Sequence, residues 1–216
     1  MKVIDFNDSD TLLNQFVAEI RDVNVQHDQL RFRRNIERIG EVMAYEMSKV
    51  LNYKLREVQT PLGIAPVRVP DCKLVLATIL RAGLPFHQGF LNYFDKAENA
   101  FVSAYRKYID EDHFDVNIEY IASPDITGKT LVLVDPMLAT GSSMELSYRA
   151  MLTKGEPAEI HLASVIATRQ AVEYVSKHFP AEKTTLWCAA IDPALNEHCY
   201  IVPGLGDAGD LAFGEK

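Results

Sequence analysis

The sequence predicts an α/β fold, with a central, mainly parallel sheet flanked by helices. Three observations carry that expectation. Residues 73–80 and the run Leu131-Val132-Leu133-Val134 are too continuously apolar for a half-exposed strand and read as strands buried on both faces. Helical spacing follows: after the second run, Met144, Tyr148, Met151 and Leu152 recur at i, i+4, i+7 and i+8. Strand and helix patterns then alternate through residues 160–168, 169–179 and 185–191, a β-α-β-α-β succession that favours parallel strands joined by crossovers.

Composition narrows the function. A chain of 216 residues can bury one core, and no repeat or low-complexity linker divides it, so residues 1–216 are expected to form one domain. A formal net charge of −8 argues against nucleic-acid or anionic-membrane binding. It also means that a polyphosphate ligand would need local arginines. Cys72, Cys188 and Cys199 are an odd count without a Cys-x-x-Cys pair, which suits a reduced, cytoplasmic setting. Residues 1–5 turn acidic at once and no run of 18 apolar residues occurs, so neither a leader nor a membrane span is expected.

Along the chain, residues 9–24 and 28–52 read as helices, the second with Phe32, Ile36, Ile39, Val42, Met43 and Met47 on one face. Its basic start, Arg31, Arg33 and Arg34, reads as a solvated face. Residues 55–60 suggest a short strand and the proline-punctuated 61–66 a loop. The strand at 73–80 ends in Arg81-Ala82-Gly83, and Pro85 can begin a helix. Residues 100–106 form a third strand candidate, again ending in an arginine, Arg106. Residues 107–124 are acidic, with alternation at 114–120 that reads as a projecting β-ribbon.

The centre of the sequence is 131–143. A buried strand ends in Asp135, a loop of small residues follows, and Ser142 with Glu145 three residues on fits a capping box at the helix start. Ligands of open α/β sheets bind outside the carboxyl ends of strands, and loop amides with a helix N-terminus favour a phosphate. No Walker pattern is present. The tail Gly204-Leu205-Gly206-Asp207-Ala208-Gly209 matches Gly-x-Gly-x-x-Gly, but no acid stands about 20 residues further on, so the dinucleotide reading is rejected. Such a stretch instead offers open backbone groups to a small planar ligand. The six histidines show no zinc spacing, and in the pair His198-Cys199 an inert buried thiol is expected rather than a dyad.

Four of these stretches resemble the uracil phosphoribosyltransferases. Asp135-Pro136-Met137-Leu138-Ala139-Thr140-Gly141-Ser142-Ser143 resembles their phosphoribosyl pyrophosphate (PRPP) loop, with Ser142 where the family usually has a second glycine. Leu80-Arg81-Ala82-Gly83 resembles the pyrophosphate-contacting loop, and Tyr105-Arg106 matches a Tyr-Arg pair. The stretch from Tyr200 to Asp210 is similar to the uracil-binding tail, departing from the family at Leu211, Ala212 and Glu215.

The resemblance implies a type I phosphoribosyltransferase fold with a β-ribbon flap and a C-terminal base-binding hood, about residues 192–216, over the N-terminal helices at 9–52. It implies the reaction uracil + PRPP → UMP + diphosphate in pyrimidine salvage. PRPP would be held by Arg81, Arg106, Asp135 with the loop through Ser143, and Asp207. Uracil would be held by Ile201, Gly206, Asp207 and Ala208, while Arg81 and Asp135 would be the catalytic residues. Mg2+ is expected through PRPP and water, because Val134 rather than a second acid precedes Asp135. A homodimer or larger homo-oligomer and a GTP effector also follow from the resemblance alone. A phosphoribosyltransferase for another base, a PRPP-binding pyrimidine regulator and a lapsed PRPP sensor remain alternatives, the middle one opposed by the acidic net charge. If Ser142 must adopt a positive φ, it would be strained.

Overall fold

The structure, a computed structural model, describes residues 1–108 and 114–215, and between residues 104 and 119 it describes backbone alone. The elements in chain order are β1 (Lys2–Asp5), α1 (Leu12–Arg21), α2 (Gln29–Ser48), β2 (Tyr53–Thr60), β3 (Gly63–Pro70), β4 (Leu74–Leu80), α3 (Gly83–Tyr93), β5 (Glu98–Tyr108) and β6 (Phe114–Ala122). There follow β7 (Thr130–Val134), β8 (Met137–Leu138), α4 (Ser142–Leu152), β9 (Glu159–Thr168), α5 (Arg169–His178), β10 (Thr184–Asp192), β11 (Ala194–Leu195), β12 (Ile201–Val202) and α6 (Ala208–Phe213).

The main sheet runs β1-β10-β9-β7-β4-β5-β6, with β8 on β9. Every pairing is parallel except β5 with β6, which makes the expected antiparallel ribbon. The central strands β4 and β7 are almost wholly apolar because helices cover both faces. On one, Phe32, Ile36, Ile39 and Met43 of α2 and Phe86 and Phe90 of α3 pack with Leu76, Val132, Ala163 and Trp187. On the other, Met144, Tyr148 and Met151 of α4 and Ala171 and Val175 of α5 pack with Val75, Leu131, Leu133 and Leu162. Neighbouring strand residues thus serve opposite layers, as a period of two requires. Helices α2 and α3 cross closely, since a Cβ on Gly89 would lie 2.1 Å from the Glu37 carbonyl oxygen.

Several expectations are corrected. Helices α1 and α2 are shorter than read: Thr11 and Asp28 cap their first turns with side-chain acceptors, and the helices stop at Arg21, before the extended Asp22, and at Ser48. The segment read as a loop after residue 60 contains β3, which pairs with β2 around Pro61-Leu62. Pro66 is tolerated because this two-stranded arm leaves each strand with an open edge. Strand β1 was not anticipated. It is four residues long, with its first two exposed, and it is held by register with β10, Val3 opposite Leu186.

Candidate functional site

The carboxyl ends of β4 and β7 and the tail enclose a cleft of about 480 Å3. Arg81 and Ala82 enter it after β4, Ser103 from β5, and Asp135, Met137, Ala139 and Ser143 after β7. From the other side come residues 199–201 and 206–209. Arg81, Asp135, part of the small-residue loop and the tail are therefore brought together. A larger cleft of about 650 Å3 lies at the amino ends of the strands and contains none of these motifs.

The loop after β7 is built against β9. The Pro136 carbonyl accepts from the amides of Val165 (3.1 Å) and Ile166 (2.9 Å), and the Ala139 carbonyl accepts from the Thr168 hydroxyl at 2.7 Å. These bonds create β8 and turn the Leu138 side chain into the core, where it is buried. Asp135 Oδ1 accepts from the Met137 amide at 3.3 Å, which fixes the carboxylate at the cleft edge. The loop thereby delivers the start of α4, where the Ser142 amide makes only a long bond of 3.4 Å to Thr140 Oγ1 and the helix dipole favours an anion.

The helix cap differs from expectation. Gly141 is the N-cap, in the left-handed region at φ +89°, and Ser142 is the first helical residue. Among the described residues Cys199 (φ +58°) is the only non-glycine with positive φ, so Ser142 carries no backbone strain of that kind. Its hydroxyl instead lies 2.8 Å from Thr140 Oγ1. The expected capping box is absent because Glu145 is drawn elsewhere. Its carboxylate accepts from the Tyr174 hydroxyl of α5 and pairs with Arg149 at 2.5 Å. Burial alone would raise the Glu145 pKa, but the bonds from Tyr174 and Arg149 outweigh it and hold the carboxyl below its ordinary range.

Arg81 is held by the tail. Its Nη2 donates to Asp210 Oδ1 at 2.9 Å and its Nη1 to the Gly214 carbonyl at 3.3 Å, while its Nε–H is buried without a partner. The Arg106 side chain and the ribbon tip at 109–113 lie outside the described residues, so the expected PRPP contact and flap are not located.

The tail itself is a small hood. Strands β11 and β12 pair antiparallel, and Asp207 caps α6 by accepting from the amides of Gly209 (2.8 Å) and Asp210 (3.0 Å). Gly204 has φ +55°, and a Cβ there would sit 2.1 Å from the Ile201 carbonyl oxygen. Cys199, expected to be buried, is instead half-buried on a turn and lines the cleft. The buried thiol is Cys188, whose pKa burial drives far upward.

Residues that the motifs did not flag pin this hood. Arg21 of α1 forms a two-pronged pair with Asp192, both contacts 2.8 Å, and also donates to the Gly204 carbonyl at 2.9 Å. Asp192 accepts in turn from the Gly204 amide at 2.9 Å. Buried Gln26 donates to the Leu205 carbonyl at 3.1 Å, and Arg33 donates to that of Ala212 at 2.6 Å. Asp192-Pro193 stood in the sequence only as a strand terminator.

A mainly parallel sheet with an acid and a small-residue loop after one strand, an arginine loop after its neighbour and a tail closing over both defines a phosphoribosyltransferase of type I. A hypoxanthine phosphoribosyltransferase from Staphylococcus aureus shares the fold, at TM-score 0.50, 12% identity and 76% of each chain. The family model "Uracil phosphoribosyltransferase" matches residues 8–215, and the chain belongs to that family. It is similar to the uracil phosphoribosyltransferase of Porphyromonas gingivalis, 67% identical over the whole of both chains. The AQ2163 protein from Aquifex aeolicus superposes at TM-score 0.87, with 28% identity over 98% of each chain.

Proposed function

We propose that the protein transfers the 5-phosphoribosyl group of PRPP to uracil, giving UMP and diphosphate for pyrimidine salvage. The observation that supports this most is the convergence of Arg81, Asp135, the α4 start and residues 206–209 on one cleft. Breaking the bond from C1 of the ribose to diphosphate builds positive charge on the sugar and negative charge on the leaving group. Preorganised cations facing the leaving group favour that change, the role assigned to Arg81 and, on the family resemblance, to Arg106. The amides at the start of α4, with the Thr140 and Ser142 hydroxyls, suit the 5′-phosphate. Asp135 is assigned to the ribose hydroxyls and Asp207 to PRPP. Ile201, Gly206, Asp207 and Ala208 are assigned to uracil.

Magnesium belongs to this proposal. Among the described residues no three His, Cys, Asp or Glu side chains gather to hold a metal, but Asp135 and Asp207 put two oxygen donors on the cleft. That donor set suits Mg2+ carried mainly by diphosphate oxygens and water, where it would neutralise leaving-group charge. A homodimer or larger assembly is supported by the bare apolar side chains of the β2–β3 arm, Leu55, Leu62 and Ile64. GTP as an effector rests on the family resemblance. Within the described residues no helix is long and apolar enough to cross a membrane, and the cytoplasm is the proposed site of action.

The test is turnover with PRPP, Mg2+ and a panel of uracil, cytosine and hypoxanthine. Cytosine presents an amino donor where uracil has a carbonyl, so the wrong base leaves buried backbone groups unpaired. A preference of roughly 100-fold or more for uracil in kcat/KM is expected. Comparable values for uracil and cytosine would refute the assignment of the base.

A further inference from the structure

We propose that Asp210 is the positioning residue that aims Arg81 at the leaving diphosphate, so that the base hood and the leaving-group loop act as one piece. The proposal rests on the role given to Arg81 above. Among the described residues, Arg81 makes no other ion pair, and its two acceptors both come from α6 and the residue that ends it. Nothing from its own strand or loop orients the guanidinium. The pair is about a third exposed on each side, 36% for both. An exposed pair of this kind adds little to stability, so its consequence lies in direction rather than in folding.

The contact is close along its length. A Cβ on Gly209 would lie 3.4 Å from Arg81 Nη2, ordinary contact distance, and 3.1 Å from Asp207 Oδ1, so the backbone of α6 runs directly against the guanidinium. The same α6 begins at Ala208, immediately after Gly206 and Asp207, the segment assigned to uracil. One short helix therefore touches the base end of the cleft with its first turn and the leaving-group arginine with Asp210. The buried, unpaired Nε–H leaves the fork with a donor for an anionic oxygen once Asp210 has set its plane. Arginine has four side-chain torsions, and without a partner the fork would sample many directions. Loss of such preorganisation lowers rate more than binding of a remote group.

The experiment compares Asp210→Asn and Asp210→Glu with wild type in full steady-state kinetics, product inhibition by diphosphate and thermal melting. Asp210→Asn should lower kcat about 10-fold or more and raise the inhibition constant of diphosphate. Its KM for uracil should stay within about threefold of wild type and its Tm within ~2 °C. Asp210→Glu, which keeps the charge on a longer arm, should recover part of kcat. Arg81→Ala/Asp210→Asn should be no slower than Arg81→Ala, because the two residues act through one group. Asp210→Ser, which removes the same carboxylate acceptor, should reproduce the kinetic pattern and serves if Asp210→Asn does not fold.

Unchanged kcat in Asp210→Asn, tighter diphosphate binding, or losses that multiply in the double variant would each overturn the proposal. If wild type makes no UMP, the function reading fails separately. Diphosphate with Mg2+ then still tests the pairing by thermal shift: protection retained in Asp210→Asn overturns it, and protection lost supports it.

Discussion

Replacing Arg21 by Met should loosen the hood before it unfolds the protein. Asp192 is almost fully buried, its side chain 8% exposed, and both of its oxygens are engaged by Arg21. Without Arg21 the carboxylate keeps one donor, the Gly204 amide. Stranding a buried charge costs ~3–5 kcal/mol. Arg21 is 21% exposed, so water can reach part of the gap and the lower end, about 3 kcal/mol, is the better figure. For a domain of this size each kcal/mol moves Tm by ~2–4 °C, which gives a drop of about 6–12 °C. Asp192→Asn should cost less, about 1–2 kcal/mol, since the amide oxygen still accepts from Gly204 and Arg21 can turn to solvent. Melting curves give the total. Hydrogen exchange at residues 201–208 should rise more than in β7 or β9, and KM for uracil should rise while KM for PRPP changes little. A Tm drop under ~2 °C with unchanged exchange in the tail, or Asp192→Asn more damaging than Arg21→Met, would refute the reasoning.

Three further outcomes are expected. Gly141→Ala should destabilise by roughly 1–3 kcal/mol and raise KM for PRPP, because φ is +89° there and the new Cβ would meet the Tyr174 ring at 2.8 Å; unchanged melting and kinetics would contradict this. Tyr174→Phe frees the buried Glu145 carboxylate from one donor behind the phosphate loop, and PRPP kinetics should show KM rising a few-fold with uracil KM unchanged. Burial pushes the His161 imidazole down to about 4 from 6.5. Its Nδ1 must stay unprotonated to accept from Trp187 Nε1 at 3.1 Å. Between those pH values the unfolded chain takes up a proton that the folded chain refuses, so stability falls as pH falls through that window, by on the order of 3 kcal/mol. In denaturant titrations across pH, His161→Gln should flatten that slope; an identical slope would exclude His161 as its source.

What could be read from the sequence was what local chemistry decides. β7 was legible because burial on both faces leaves an unbroken apolar run, and β9 because only His161 and Ser164 interrupt the apolar residues from 160 to 167. Arg81 and Asp135 were legible as candidates because they stand at strand ends, and residues 206–208 because their glycine-rich pattern resembles a family motif, although residues distant in sequence hold Arg81 and the tail in place. β1 and β3 were not, because their side chains are largely exposed and their strand character comes only from the partner they pair with. The Ser142 and Glu145 spacing fits a capping box, yet the fold brings Tyr174 and Arg149 to Glu145, and Gly141 takes the turn that no side chain could take cheaply. A pattern specifies what a residue can do alone; packing decides between that and a better partner.

The hood shows why the N-terminal helices belong to the site. β11 and β12 have two residues each and α6 has six, too little to hold a shape unaided. The missing order comes from Arg21, Gln26 and Arg33, residues on or near α1 and α2 that bond to tail residues more than 170 positions away. Asp192 closes the circuit at the end of β10, so the tail hangs from a sheet strand at one end and from the helices along its length. No periodicity could announce such bonds, since each joins a surface-type side chain to a backbone group remote in sequence. The arginines at the start of α2, read as a solvated face, are spent in this way or on neighbours: Arg33 on the tail, Arg31 on Glu19 and Arg34 on Glu37. A substitution in α1 or α2 can therefore change recognition of the base without touching it, and it should do so through KM for uracil while PRPP binding at α4 stays nearly constant.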